Sequence, residues 1–137
     1  MPRVLNTQQG TAFTHIPGRL RELRSDSDLA FSRNSRWLEN CRLNHPRCIA
    51  PYENPVLPTR VIDVSFADGK VALFETRGGR GRYMTLSHCW GTSRRLMATT
   101  KTFQDLKGGI AVSLLPETFR DAIAITRRLG VRYLWVD

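Results

Sequence analysis

Five residues in two short apolar segments have the chemistry to hold a nucleotide: Ser87, His88, Trp90, Gly91 and Asp137. Serine and histidine carry hydrogen-bonding groups, the Trp90 indole offers a flat face to a base or nicotinamide, Gly91 lets backbone approach closely, and the Asp137 carboxylate can accept from a ribose hydroxyl. Their position gives them weight. They sit at the C-terminal ends of two apolar runs, residues 83–88 and 131–136, and open α/β sheets bind ligands at the carboxyl edge of parallel strands. Trp90 equally suits a cap on the core, and the His88 side chain equally suits facing away. Ser87 and His88 do not make a nucleophile and base, because neighbours on a strand point to opposite faces. No catalytic residue is assigned on these grounds. Arg94 and Arg95 follow the Trp-Gly turn, placed either to meet a phosphate at that edge or to stand in solvent.

A second cluster, Cys41-x3-His45-x2-Cys48, offers ligand types that zinc takes. Structural zinc takes four ligands, so a fourth would come from His15, His88, Cys89 or an acidic residue. The three by themselves predict no tightly bound metal and a buried Cys41 with incidental neighbours. Glycines 78, 79 and 81 invite comparison with a phosphate loop, but such a loop runs from a strand into a helix. Here a strand follows, which predicts a flexible turn.

The elements that position these residues are legible from periodicity. Ile62, Val64 and Phe66 alternate with Asp63 and Ser65 as in a half-buried strand. Asp68-Gly69 then turns the chain into a partner strand over residues 70–76. A short helix is expected within residues 99–109, capped by Thr100 or Thr102 and stopped by Gly108. A stronger one spans 117–129, with Pro116 at its start, Arg127 and Arg128 in its last turn and Gly130 to end it. Phe119, Ala122, Ile123, Ile125, Thr126 and Leu129 share one arc of that helix. The strand at 131–136 follows at once, and the crossover rule sets it parallel to the strand at 83–88. Further upstream, residues 1–35 read as a flexible leader. Residues 36–59 read as a short helix, starting near Ser32 or Ser35 and closed by Pro46, with a connector through Pro51, Pro55 and Pro58.

The fold class expected is therefore α/β: a partial parallel sheet with a β-α-β crossover unit, preceded by a β-hairpin and the leader. At 137 residues the chain has room for one core. Its net charge of +9 is spread along the sequence without a basic block, which makes nucleic acid an unlikely partner despite the excess. No apolar run approaches the ~20 residues of a membrane span, and no secretory core is present near the start. With three cysteines, reduced thiols are expected rather than a disulfide framework, in keeping with a cytoplasmic location.

The order Tyr83-Met84-Thr85-Leu86-Ser87-His88-Cys89-Trp90-Gly91, then Leu115-Pro116-Glu117-Thr118-Phe119-Arg120-Asp121-Ala122-Ile123, then Arg132-Tyr133-Leu134-Trp135-Val136-Asp137 resembles the fungal heterokaryon-incompatibility (HET) domain. That domain's pattern runs roughly Y-x-x-L-S-x-x-W-G, L-P-x-T-x-x-D-A-I, R-Y-L-W-x-D. The tract Trp37-Leu38-Glu39-Asn40-Cys41 with His45, Cys48 and Leu57-Pro58-Thr59-Arg60 resembles the segment that commonly precedes it. His88 stands where many members have tyrosine or another residue. The family pattern continues past Asp137 with Leu-Cys-Ile-like residues, so the resemblance implies that residues 60–137 are the first part of a truncated domain. It further implies a role in vegetative incompatibility, self/non-self recognition and programmed cell death, with protein partners or self-association through the α/β domain. HET domains are distantly similar to Toll/interleukin-receptor-like domains, some of which cleave NAD. This implies a nucleotide ligand, with NAD as substrate of the full-length family member and no cofactor in this chain. The catalytic Glu would lie in a helix after the Asp137 strand, with Glu117 at the opposite edge of the sheet, so the chain alone is expected to leave NAD intact.

Overall fold

The computed structural model describes residues 24–49, 54–89 and 97–137. Most of the expected leader, Pro51 of the connector, and Trp90, Gly91, Arg94 and Arg95 lie outside the described residues.

Helix α1 spans Asp28–Asn44, starting earlier than expected. Its cap is Ser27, whose Oγ accepts from the Ala30 N–H at 3.1 Å, and Asp28 places a negative charge in the first turn. The Ser27-Asp28 pair is thus a helix start, and residues 28–35 of the expected flexible leader are helical. Arg128 secures this end by donating to the Asp26 carbonyl (3.0 Å) and the Asp28 carboxylate, with its guanidinium 3.7 Å from the centre of the Phe31 ring. At the other end His45 is extended, as a residue before proline prefers, and Pro46 opens the short helix α2 (Pro46–Ile49).

Strands β1 (Arg60–Ala67) and β2 (Lys70–Glu75) form the expected hairpin, with Gly69 at φ +67° in its turn. Beyond it come β3 (Tyr83–Leu86), α3 (Phe103–Gly108), the two-residue β4 (Ile110–Ala111), a 3-10 turn (Val112–Leu114), α4 (Glu117–Arg128) and β5 (Tyr133–Val136). They make one mixed five-stranded sheet in the order β3-β5-β1-β2-β4. Only β3 and β5 run parallel; the other pairs are antiparallel. Gly109, at φ +110°, ends α3, and a Cβ there would meet the Phe66 ring at 2.8 Å. Glycine is the residue that fits both demands.

Two readings of side-chain direction change. β1 does not alternate simply: Val61, Asp63 and Val64 are all buried, whereas Phe66 is 46% exposed. Along Val61–Val64 both faces of β1 are covered by side chains: Val64 packs against Phe119 and Ile123 of α4, and on the other face Arg132 reaches over the Asp63 carboxylate. The register with β2 then shifts between Asp63 and Ala67, turning the last residues away. On α4, Phe119, Ile123 and Thr126 are buried as expected, but Ile125, at the margin of the arc, is exposed. The core is Val64 and Val71 from the hairpin, Leu115, Phe119 and Ile123 from the α4 region, and Leu134 from β5.

Candidate functional site

The register of the parallel pair runs from Tyr83 beside Tyr133 to Leu86 beside Val136, and the Asp137 N–H donates to the Leu86 carbonyl at 3.3 Å. Ser87, His88 and Asp137 therefore stand at one edge of the sheet, the juxtaposition expected from the β-α-β pattern. Because β1 is antiparallel to β5, with Ile62 opposite Leu134, its first residue Arg60 comes to the same edge.

The direction of α4 corrects the placement of Glu117. The His88 ring meets the Phe119 ring edge-on, with centroids 5.0 Å apart, so the first turn of α4 lies beside the end of β3. At the far end of the helix, Arg127 donates to the carbonyls of Val64 (2.7 Å) and Lys70 (2.9 Å), where β1 runs into the hairpin turn. α4 thus runs antiparallel to β3 and β5. Glu117, exposed in the first turn, belongs to the carboxyl edge with Asp137 rather than to the opposite one. A crossover helix returns the chain from the end of one strand to the start of the next, so it must begin at the carboxyl edge.

A cleft of about 580 Å³ opens at this edge, lined among others by Arg60, Leu106, Phe119, Leu134, Trp135 and Val136. Its apolar floor is continuous with the core, and the Arg60 guanidinium sits 5.9 Å from the centre of the Phe103 ring. An apolar slot with an aromatic wall and one cationic group at the strand ends suits a flat ring joined to a phosphate. Ser87 and Asp137 are exposed and His88 is half-buried. None of the three lines the cleft; they border it through shared neighbours, since Phe119 touches His88 and Val136 precedes Asp137. The His88 ring packs edge-on against Phe119.

Arg60, Phe119 and Trp135 are among the cleft residues that the sequence alone did not assign to a site. The signal for Arg60 was present, because the start of a hairpin strand laid antiparallel to β5 must fall at the carboxyl edge. What the sequence withheld was which strand of the hairpin lies beside β5.

The second cluster also comes together. The Cys41 Sγ lies 3.3 Å from His45 Nδ1, and the donor atoms of Cys41, His45 and Cys48 all fall within 4.8 Å of one another. Cys41 is half-buried, not buried as expected, and its neighbours touch it rather than standing by incidentally. Its thiol is held above the usual range, first by the hydrogen bond with Cys48 and then by desolvation.

Residues 83–137 match the family model described as heterokaryon incompatibility protein (HET). Neither the curated proteins nor the solved structures give a significant match. The α/β class stands on the sheet itself, and likeness to Toll/interleukin-receptor domains rests on the sequence resemblance alone.

Proposed function

We propose, from the match of residues 83–137 to the heterokaryon-incompatibility family model, that this chain serves self/non-self recognition and the cell death that follows, by engaging a nucleotide at the carboxyl edge of β3 and β5. The observation that supports this is the cleft beside Ser87, Asp137 and Arg60 at the one edge where parallel strands end together. Protein partners or further copies would meet the α/β domain at β3, the terminal strand of the sheet, whose outer edge pairs with no strand among the described residues. β5, by contrast, is paired on both sides, with β3 and β1.

Nucleic acid fits less well. Arg127, Arg128 and Arg132 direct their guanidinium groups to carbonyls and carboxylates of the chain itself, which leaves them poorly placed for phosphates. Among the described residues no helix is long and apolar enough to cross a membrane.

NAD is the probe that tests the proposal. Titrated into the purified chain, it should give a saturable change in tryptophan fluorescence through Trp135, and Asp137→Ala should weaken binding by about 10-fold, the worth of one good polar contact. Absence of saturation would remove the nucleotide from the proposal. A second reading, cleavage of the nicotinamide–ribose bond, is favoured by the placement of Glu117 at this edge. A carboxylate there can stabilise a developing oxocarbenium ion. On that reading nicotinamide accumulates with time, and Glu117→Gln slows its release by roughly 100-fold or more, the low end of what a charged catalytic group contributes. No release from the parent chain rejects cleavage, and release untouched by the substitution rejects Glu117.

A further inference from the structure

The cysteine and histidine cluster lies away from the cleft, at the corner where α1 passes into α2. Cys41 and His45 are four residues apart at the end of α1, the spacing that brings two side chains onto one face of a helix. The chain then breaks: His45 is extended, its N–H donating to the Cys41 carbonyl at 3.1 Å, and Pro46 starts a new turn. The Cys48 N–H donates back to the His45 carbonyl at 2.8 Å, which folds the third residue over the first two. The corner therefore gathers three side chains that local sequence alone would leave dispersed.

We propose that Cys41, His45 and Cys48 form a zinc site with three protein donors and a fourth position open to solvent or to an incoming ligand. Zinc–sulfur bonds of about 2.3 Å and zinc–nitrogen bonds of about 2.0 Å in tetrahedral array set donors roughly 3.5–3.8 Å apart. The three donor atoms already lie within 4.8 Å of one another, so closing around an ion takes rotamer adjustment and no refolding. Two sulfurs and an imidazole select zinc over magnesium or calcium, which prefer oxygen. The charge also balances. Two thiolates, their protons released to solvent, neutralise a divalent ion and add nothing to the net charge of +9.

The expectation of no tight metal rested on a missing fourth ligand, and that requirement belongs to closed structural sites. Sites with three protein donors hold zinc and keep a coordination position for chemistry or for a partner's side chain. Cys41 and Cys48 also line a cavity of about 670 Å³, with Leu38 on their side and Tyr83, Met84 and Thr85 of β3 on the other. An ion here would fix the helical corner beside the first residues of the same β3 that leads to Ser87.

The test uses the purified, reduced chain, titrated with Zn²⁺ against a chromophoric chelator and, in parallel, with Co²⁺, whose thiolate charge-transfer absorption reports sulfur ligation. One equivalent should bind, with the charge-transfer band present. Cys41→Ser and Cys48→Ser should each lower zinc affinity by more than the roughly 10–100-fold that loss of a mere supporting contact costs. His45→Gln, at an exposed position, should do the same, whereas Cys89→Ser should leave affinity and band unchanged. Bound zinc should also raise the melting temperature, since an ion that binds only the folded corner stabilises it. Absence of the cobalt–thiolate band, or zinc affinity unaffected by all three substitutions, overturns the site.

Discussion

Ile123→Ala is expected to lower the unfolding free energy by about 4 kcal/mol, toward the upper end of the range for shortening a fully buried aliphatic side chain. Ile123 is 1% exposed on the inward face of α4 and packs into the cluster of Val64, Val71, Leu115, Phe119 and Leu134. That cluster is where the helix meets the hairpin and β5, so every layer of the fold loses contacts at once. The site has little freedom to collapse. Thr126, one turn on, is 1% exposed with its hydroxyl committed to the Ala122 carbonyl at 2.7 Å, and Arg127 pins the end of the helix to two strand carbonyls. A cavity that cannot relax costs more than the transfer of the lost methylenes. Ile125→Ala, on the same helix but exposed, should cost under about 1 kcal/mol. Urea denaturation of the two variants checks the contrast. Equal losses would mean that α4 does not bury the arc described.

The pair also shows what the sequence could and could not reveal. The period of α4, its proline start and glycine stop, the Asp-Gly hairpin and the parallel relation of β3 and β5 all follow from local chemistry, and the structure keeps them. Ile125 was misjudged because a residue at the margin of a helical arc is buried or exposed according to what packs beside it, which is a tertiary fact. Asp63 was read as the solvent side of an alternating strand for the same reason: what covers its face includes Arg132, 69 residues further along, whose guanidinium donates to the carboxylate. Glu117 was a different kind of error. The direction of a crossover helix was already implied by the parallel strands, and its start should have been set at their carboxyl edge. The zinc-type corner was invisible as geometry, since spacing names the ligands but the break at His45 and Pro46 decides whether the third one reaches the others.

Arg132→Ala is expected to destabilise the chain by about 3 kcal/mol, the low end of the loss on stripping a buried charge of its partner. Asp63 is 5% exposed within the sheet. Arg132 donates to its Oδ2 from two nitrogens, at 3.1 and 2.7 Å, and the Ser65 N–H and hydroxyl donate to its Oδ1 at 2.9 and 2.8 Å. Burial pushes the carboxyl up, but the bonds from Arg132 and then Ser65 outweigh it and hold it below the usual carboxylate range. The low end applies for two reasons: Ser65 stays to satisfy one oxygen, and the Arg132 side chain is itself 58% exposed, so water can reach the vacated place. The pH dependence fixes the sign. A carboxylate whose folded value is depressed stabilises the fold fully above its unfolded value near ~3.9, and the contribution fades as pH falls through the lower folded value. The difference in stability between parent and variant should therefore hold steady from neutral pH down to about pH 5 and narrow below about pH 4. Asp63→Asn, which keeps the shape and removes the charge, should flatten the same part of the parent's profile. A difference that persists undiminished into acid would show that Arg132 acts by packing rather than by its charge on Asp63.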